Sequence, residues 1–197
     1  VIGQLVTGLS GWMEWPFRGG YLVLALLLFR LVWGFVGGRW SRFASFAHSP
    51  AALANYLRGR AHPDQLVGHT PLGALSVFAL LALLTAQVAT GLVSDDEISA
   101  SGPLTRFVSS ATVSLASAWH AVPGKWILLA LVVLHVLAIA FYALVRRQHL
   151  VGPMVSGDKL LTHPAEASHD TAGSRLAALV IFGACAGFAY WISTLRP

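Results

Sequence analysis

Two of the eight histidines in this chain, His120 and His135, fall where an imidazole is hard to accommodate. His135 lies near the middle of WILLALVVLHVLAIAFYALVRR, Trp126 to Arg147, a run that is apolar over about 20 residues, the length needed to cross a bilayer. An unpaired imidazole in hydrocarbon is costly, so His135 needs a partner. Two kinds of partner suit it. A neutral imidazole is a good iron ligand, and a haem b needs only axial ligands and an apolar slot between helices. The alternative is a hydrogen bond from a ring nitrogen to a serine or a backbone carbonyl on a neighbouring helix. His120 precedes His135 by fifteen residues. On a continuous helix this is about 22 Å of rise and about 60° of rotation. Both rings would then point into one side of a bundle at different depths, a spacing that suits two stacked haems. Pro123 and Gly124 offer another reading, in which the membrane helix starts at the proline and His120 belongs to the preceding loop.

Other polar residues stand close to this chemistry. His69 sits just before the apolar run that starts at Leu72, beside an Arg-rich loop. Ligation, a hydrogen bond to a haem propionate and a capping role are all open to it, and its shallow position favours propionate or indirect contact. Arg30 interrupts LALLLFRLVWGF, about 13 Å from Arg39 along a helix. It either snorkels to the headgroups or offers its guanidinium fork to a carboxylate such as a propionate. The second reading is preferred, on the expectation that its helix faces the haem that His135 would ligate. The remaining histidines, His48, His62, His149, His163 and His169, are expected to be solvated loop residues. Cys185 is alone, and no C-x-x-C-H is present, so c-type haem attachment and thiolate-held iron–sulfur clusters are excluded.

The elements that must position these residues are membrane helices. The 197 residues are 56% hydrophobic and only 11% charged, far too apolar for a soluble domain of this size. Four long apolar runs span Tyr21–Gly38, Leu72–Val93, Trp126–Val145 and Leu176–Ile192. The opening VIGQLVTGLSGW reads as the tail of a further helix, truncated at Val1, and no cleavable signal peptide is visible. Arg39, Arg42, Arg58 and Arg60 follow the first long run; Arg146, Arg147, Lys159 and Arg175 follow the third. The loop that begins SDDEIS is acidic. The positive-inside rule places the Arg-rich loops in the cytoplasm and the acidic loop outside. Cationic loops beside anionic lipid also account for the net charge of +5, so no nucleic-acid partner is needed. AALANYLRGR reads as a short interfacial helix. The loop from Gly157 to Ser174 reads as irregular. Gly34-x-x-x-Gly38 and Gly183-x-x-x-Gly187 would permit close helix packing. The tryptophans, mostly near helix ends, form an ordinary aromatic belt.

The pieces YLVLALLLFRLVWGFVGGRWSRFASF, GHTPLGALSVFALLALLTAQVATGL, DDEISASGPL and LVVLHVLAIAFYALVRRQHLVGPMVSGDK occur in this order. Together they resemble the bacterial b561-type cytochromes, especially the group related to the cytochrome b subunit of nickel–iron hydrogenases. The similarity runs from about Gly20 to Lys159. It implies an all-α integral membrane protein: a transmembrane four-helix haem bundle over residues 1–150, a polar cytoplasmic loop over 151–174 and an additional C-terminal membrane helix over 175–197. It implies haem b, one or two per chain, in a multi-pass protein of the bacterial inner membrane. His135 matches the family's inner iron ligand and His120 its outer ligand on the same helix. The family's inner partner comes from a His-Trp pair that would fall before Val1. Its outer partner falls at Pro16, which cannot ligate iron; Met13 is a remote substitute.

Two functions follow. The first is an electron-transfer subunit, passing electrons between a partner redox protein (a partner subunit or a c-type cytochrome) and the quinone pool. With no flavin or nucleotide motif, it depends on that partner for the rest of the chemistry. The second is a haem-poor or haem-free anchor subunit of a larger membrane complex. Transport is disfavoured, since no internal repeat is visible.

Overall fold

The computed structural model describes residues 14–197, except 61, 63–64, 66, 97–100, 148–149, 160, 162–163, 169 and 196–197; the side chains of 14–17 are not described. Val1 to Met13, His149, His163 and His169 therefore lie outside the described residues, as does the proposed truncated helix.

Among the described residues the regular elements are all helices. Helix α1 covers Glu14–Val36, α2 Pro50–Leu57, α3 Pro71–Leu92, α4 Ser110–Trp119, α5 Lys125–Leu144, α6 Val151–Ser156 and α7 Ala172–Thr194. A π-helical turn, His120–Gly124, joins α4 to α5 without a break. Four stretches are long and apolar enough to cross a bilayer: Arg18–Val36, Pro71–Leu92, Ser110–Leu144 and Ala172–Thr194. All four apolar runs of the sequence are thus spanning helices. The third is longer than its apolar core, because α4 and α5 form one rod of 35 residues.

The rod answers the question raised by Pro123. Proline lacks an N–H and its ring clashes with the carbonyl four residues back, here that of Trp119. A π turn widens the helix at such a point and absorbs the clash without ending the helix. His120 is therefore helical and opens the π turn, and the reading that left it in a loop does not hold. Counting the wide turn as one inserted residue leaves about fourteen α-helical steps to His135. That gives about 21 Å of rise and about 40° of rotation. The difference from the sequence expectation comes from the local widening.

Packing runs from α7 onto α1, from α1 onto α3, and from α3 onto the α4–α5 rod. Lipid tails are as apolar as leucine, so helix association rests on close van der Waals fit, which small residues permit. Ala25 and Ala189 are accordingly buried between α1 and α7 with Leu24 and Ile192. The turn after α1 folds back on the bundle. Gly34 makes room for it: a Cβ there would lie 2.1 Å from the Phe43 ring. Phe43, Phe46 and Phe78 then pack edge-on or tilted with ring centroids 5.4–5.9 Å apart, joining the turn after α1 to α3. The first small-residue motif thus receives the chain's own turn: Gly34 meets Phe43, and Gly38 meets Ser168. Gly183 and Gly187 have no neighbour within 4 Å of a Cβ.

Helix starts are specified locally. Thr70 caps α3 by accepting from Gly73 N, with Pro71 in the first turn. Thr171 and Ser174 form a capping box on α7. The expected interfacial helix is α2, tied to α5 by a hydrogen bond between the Tyr56 and Tyr142 hydroxyls, 2.7 Å apart. Residues 157–170 are irregular where described. That segment reaches back to the Arg-rich turns through Lys159 Nζ to Val67 O (3.2 Å), Trp40 Nε1 to Glu166 O (3.0 Å) and an Arg39–Glu166 ion pair. The pair is exposed, so its contribution to stability is about 0–1 kcal/mol.

Candidate functional site

His135 finds a partner on α3. Its Nδ1 lies 3.2 Å from Ser76 Oγ. This is the serine on a neighbouring helix that the sequence alternative called for, yet it engages one ring nitrogen only. Nε2 has no hydrogen bond among the described residues. Interhelical hydrogen bonds in membranes contribute only about 0.6 kcal/mol on average. A bond of that size does not repay an imidazole at this depth, so its effect is to orient the ring. Its chain neighbours Val133, Leu134, Val136 and Leu137 expose 48–62% of their surface, so the helix is apolar on the sides away from the ring.

His120 is held more firmly, also by α3. Its Nδ1 lies 2.9 Å from the Gln87 carbonyl oxygen, and Thr90 Oγ1 is 3.5 Å away. A carbonyl can only accept, so Nδ1 of His120 carries the proton and Nε2 keeps its lone pair. The Gln87 side-chain amide donates to the His120 carbonyl at 3.0 Å, closing a second link between the same two residues. Gly91 supplies the space: a Cβ there would sit 2.7 Å from His120 Cε1 and 3.1 Å from Nδ1. Only the absence of a side chain lets the imidazole approach α3 this closely.

Ser76 and Gln87 are eleven residues apart on α3. That is about three turns, so both lie on one face. One helix therefore holds Nδ1 of both histidines and leaves both Nε2 atoms unbonded.

At the Arg-rich end, Arg30 and His69 meet around Phe46. The His69 ring lies 4.5 Å from the Phe46 ring, which is only 2% exposed. Arg30 Nη1 donates to the Ser41 carbonyl at 3.2 Å, and the guanidinium lies over Phe43 at 4.9 Å and Phe46 at 6.0 Å. Arg30 has no carboxylate partner among the described residues. His48 Nε2 donates to the His69 carbonyl at 3.1 Å, so His48 is not the free loop side chain expected of it. His69 Nδ1 is buried without a partner. No hydrogen bond joins this cluster to His135 among the described residues.

Burial first, then the nearby charge of Arg30 and of His48, pushes the His69 pKa below the ordinary value of 6.5. The folded state then binds fewer protons than the unfolded one. Its contribution to stability is full above the unfolded pKa and falls as the pH drops from there toward the folded value. The Phe43–Phe46–His69 cluster should therefore loosen on acidification below about pH 6.5. Thermal unfolding followed by Trp40 and Trp33 emission should show this loss, and His69→Phe should remove it. An unchanged pH profile in His69→Phe would assign the acid sensitivity elsewhere.

The fit of a haem b can be tested on these residues. Porphyrin provides four nitrogens, so the protein needs to supply only axial ligands. An imidazole whose Nδ1–H is anchored and whose Nε2 is bare has the form of an axial ligand. His120 meets this fully, and His135 meets it when Nδ1 donates to Ser76. Arg30 adds a guanidinium with no carboxylate of its own. The residues fit the group. No set of three or more His, Cys, Asp or Glu converges among the described residues, so the site suits a ring-held iron better than a bare ion.

Fold and site together define a multi-pass helical membrane protein with imidazoles fixed at two depths along one helix pair. The chain belongs to the prokaryotic cytochrome b561 family, whose model matches residues 1–157. That family comprises membrane haem b electron-transfer proteins, and the electron-transfer role extends to this chain at that level. No curated protein and no solved structure matches the chain.

Sequence reasoning singled out His120 and His135 as candidates but not Ser76, Gln87, Gly91 and Phe46, which pack against the candidate histidines. Ser76 is 59 residues from His135, and nothing local marks it. The one available signal was the eleven-residue register on α3, which acquires meaning only once α3 is known to lie beside the α4–α5 rod.

Proposed function

We propose that this chain is the haem b subunit of a membrane complex, exchanging electrons between a partner redox protein and the quinone pool. The observation that carries the reading is the state of the two imidazoles: Nδ1 engaged by α3, Nε2 without a hydrogen bond. In this reading His135 ligates the inner iron and His120 the outer one. Arg30 and His69 contact an inner propionate, which would supply the carboxylate that Arg30 lacks and an acceptor or donor for His69 Nδ1. Bound haem supplies the one-electron couple; the chain holds its axial ligands, excludes water with apolar helix faces and balances its charge. The partner is a further subunit or a c-type cytochrome. The haem-poor anchor remains the second reading, favoured by Pro16, which stands at the family's outer-ligand position.

The test is direct. Protein purified from a haem-replete bacterial host should carry one or two haems b per chain and be reduced anaerobically by a quinol analogue. Haem reducible by dithionite but inert to quinol would remove the quinone step. Purified protein devoid of haem would install the anchor reading.

We also propose that the Arg-rich ends face the cytoplasm. The supporting observation is that Arg39, Lys159 and Val67 gather on one side of the bundle, away from Asp95 and the start of α4. In intact cells a membrane-impermeant thiol reagent should label Ser110→Cys and spare Ala47→Cys. Buried Cys185 should give little background. The opposite pattern would invert the topology.

A further inference from the structure

We propose that Ser76 is a positioning residue for His135: its hydroxyl accepts the Nδ1 proton, fixes the ring's tautomer and plane, and holds down the reduction potential of the haem that His135 ligates. The inference rests on the ligation proposed above and goes beyond it.

The geometry contrasts two anchors on one helix. His120 uses a main-chain acceptor, the Gln87 carbonyl at 2.9 Å. His135 uses a side-chain group, the Ser76 hydroxyl at 3.2 Å. A carbonyl fixes the proton's place with no choice. A hydroxyl can donate or accept, so the direction of the Ser76 bond decides what His135 can do. If Ser76 donates, Nδ1 is the acceptor and Nε2 carries the proton, which closes Nε2 to iron. If Ser76 accepts, Nδ1 carries the proton and Nε2 keeps its lone pair. Iron binding at Nε2 therefore selects the second direction, and the hydroxyl in turn draws on the Nδ1 proton. That makes the imidazole a stronger donor to ferric iron, which stabilises the oxidised state and lowers the potential.

The same contrast gives the two sites different freedom. No side-chain substitution removes the Gln87 carbonyl, whereas a single atom removes the Ser76 acceptor. The acceptor for His135 can thus be removed by changing its own side chain, whereas the acceptor for His120 can be lost only by displacing the imidazole from it.

The experiment uses the full-length, haem-loaded protein in detergent or nanodiscs. Ser76→Ala, Ser76→Cys and Ser76→Thr are compared with wild type by haem content, redox titration and low-temperature EPR of the oxidised protein. The expected result is retained haem in all three. The midpoint of the component lost in His135→Ala shifts upward in Ser76→Ala, less in Ser76→Cys, and returns to the wild-type value in Ser76→Thr. The EPR signal of that component changes in Ser76→Ala, because the ring plane is released, and the other component stays in place. An unmoved midpoint and unmoved EPR signal in Ser76→Ala, or Thr behaving like Ala, would overturn the assignment. The two readings fail separately. Full haem retention in His135→Ala refutes the ligation itself. Haem loss in His135→Ala with no change in Ser76→Ala leaves the ligation standing and removes only the role of Ser76.

Discussion

His135→Ala should lose most of its b-type absorbance, or keep the haem in a high-spin state. The substitution removes the imidazole from the middle of α5 and leaves its neighbours, Val133, Leu134, Val136 and Leu137, unchanged. The helix itself should survive, since alanine is the best helix former. Among the described residues the side-chain hydrogen bond lost is the one to Ser76, and such bonds are worth about 0.6 kcal/mol on average in a membrane. Fold and expression should therefore stay close to wild type while haem content falls. Groups that merely support a metal ligand cost about 10–100-fold in affinity when removed. Losing the ligand itself should exceed that. The measurement is a reduced-minus-oxidised spectrum with haem quantification, and His62→Ala, on an exposed residue, is the control. An unchanged spectrum and unchanged haem content in His135→Ala would sink the ligand assignment and promote the anchor reading.

The second large effect should come from a residue with no side chain. Gly91→Val places branched carbon where His120 lies, with the first atom 2.7 Å from Cε1. Both sides of that contact are hard to move. Gly91 is backbone within α3, and His120 is fixed by Gln87 through two hydrogen bonds. The imidazole must swing away from α3, losing the carbonyl that sets its tautomer. Gly91→Val should then abolish the same spectral component as His120→Ala and spare the component that depends on His135. Overpacking of this kind costs about 1–3 kcal/mol, so the protein should remain folded. Gly91→Ala should show a partial version. Equal loss of both components, or of neither, would show that the notch does not serve His120.

Much of this was legible beforehand, for physical reasons. A spanning helix announces itself by length and apolarity, so four of them were readable. A charged or polar group inside such a run stands out by its cost, which is why His135 and Arg30 could be named. His120 was harder, because Pro123 is compatible both with a helix start and with a widened turn. Sequence spacing cannot choose between them; only the packing of α4 above α3 does, through Ser117 Oγ accepting from Asp95 N at 2.8 Å and through the Gln87 links. Ser76 and Gly91 were illegible. Each matters because of what lies on the neighbouring helix, and a serine or glycine in an apolar run is locally unremarkable. Phe46 was hidden for a similar reason: it is the most buried large side chain described, yet it lies in a turn outside the spanning runs.

The widened turn at His120–Gly124 also bears on how such a protein can change over generations. A regular spanning helix tolerates no insertion or deletion, because one residue rotates everything beyond it by about 100°. Here the irregularity already exists and is already accommodated. Removing one residue inside it would restore regular winding, re-aiming α4 and His120 while α5 and His135 kept their setting. A change of length inside this turn would therefore act on the α4 end of the rod and leave the α5 end as it is.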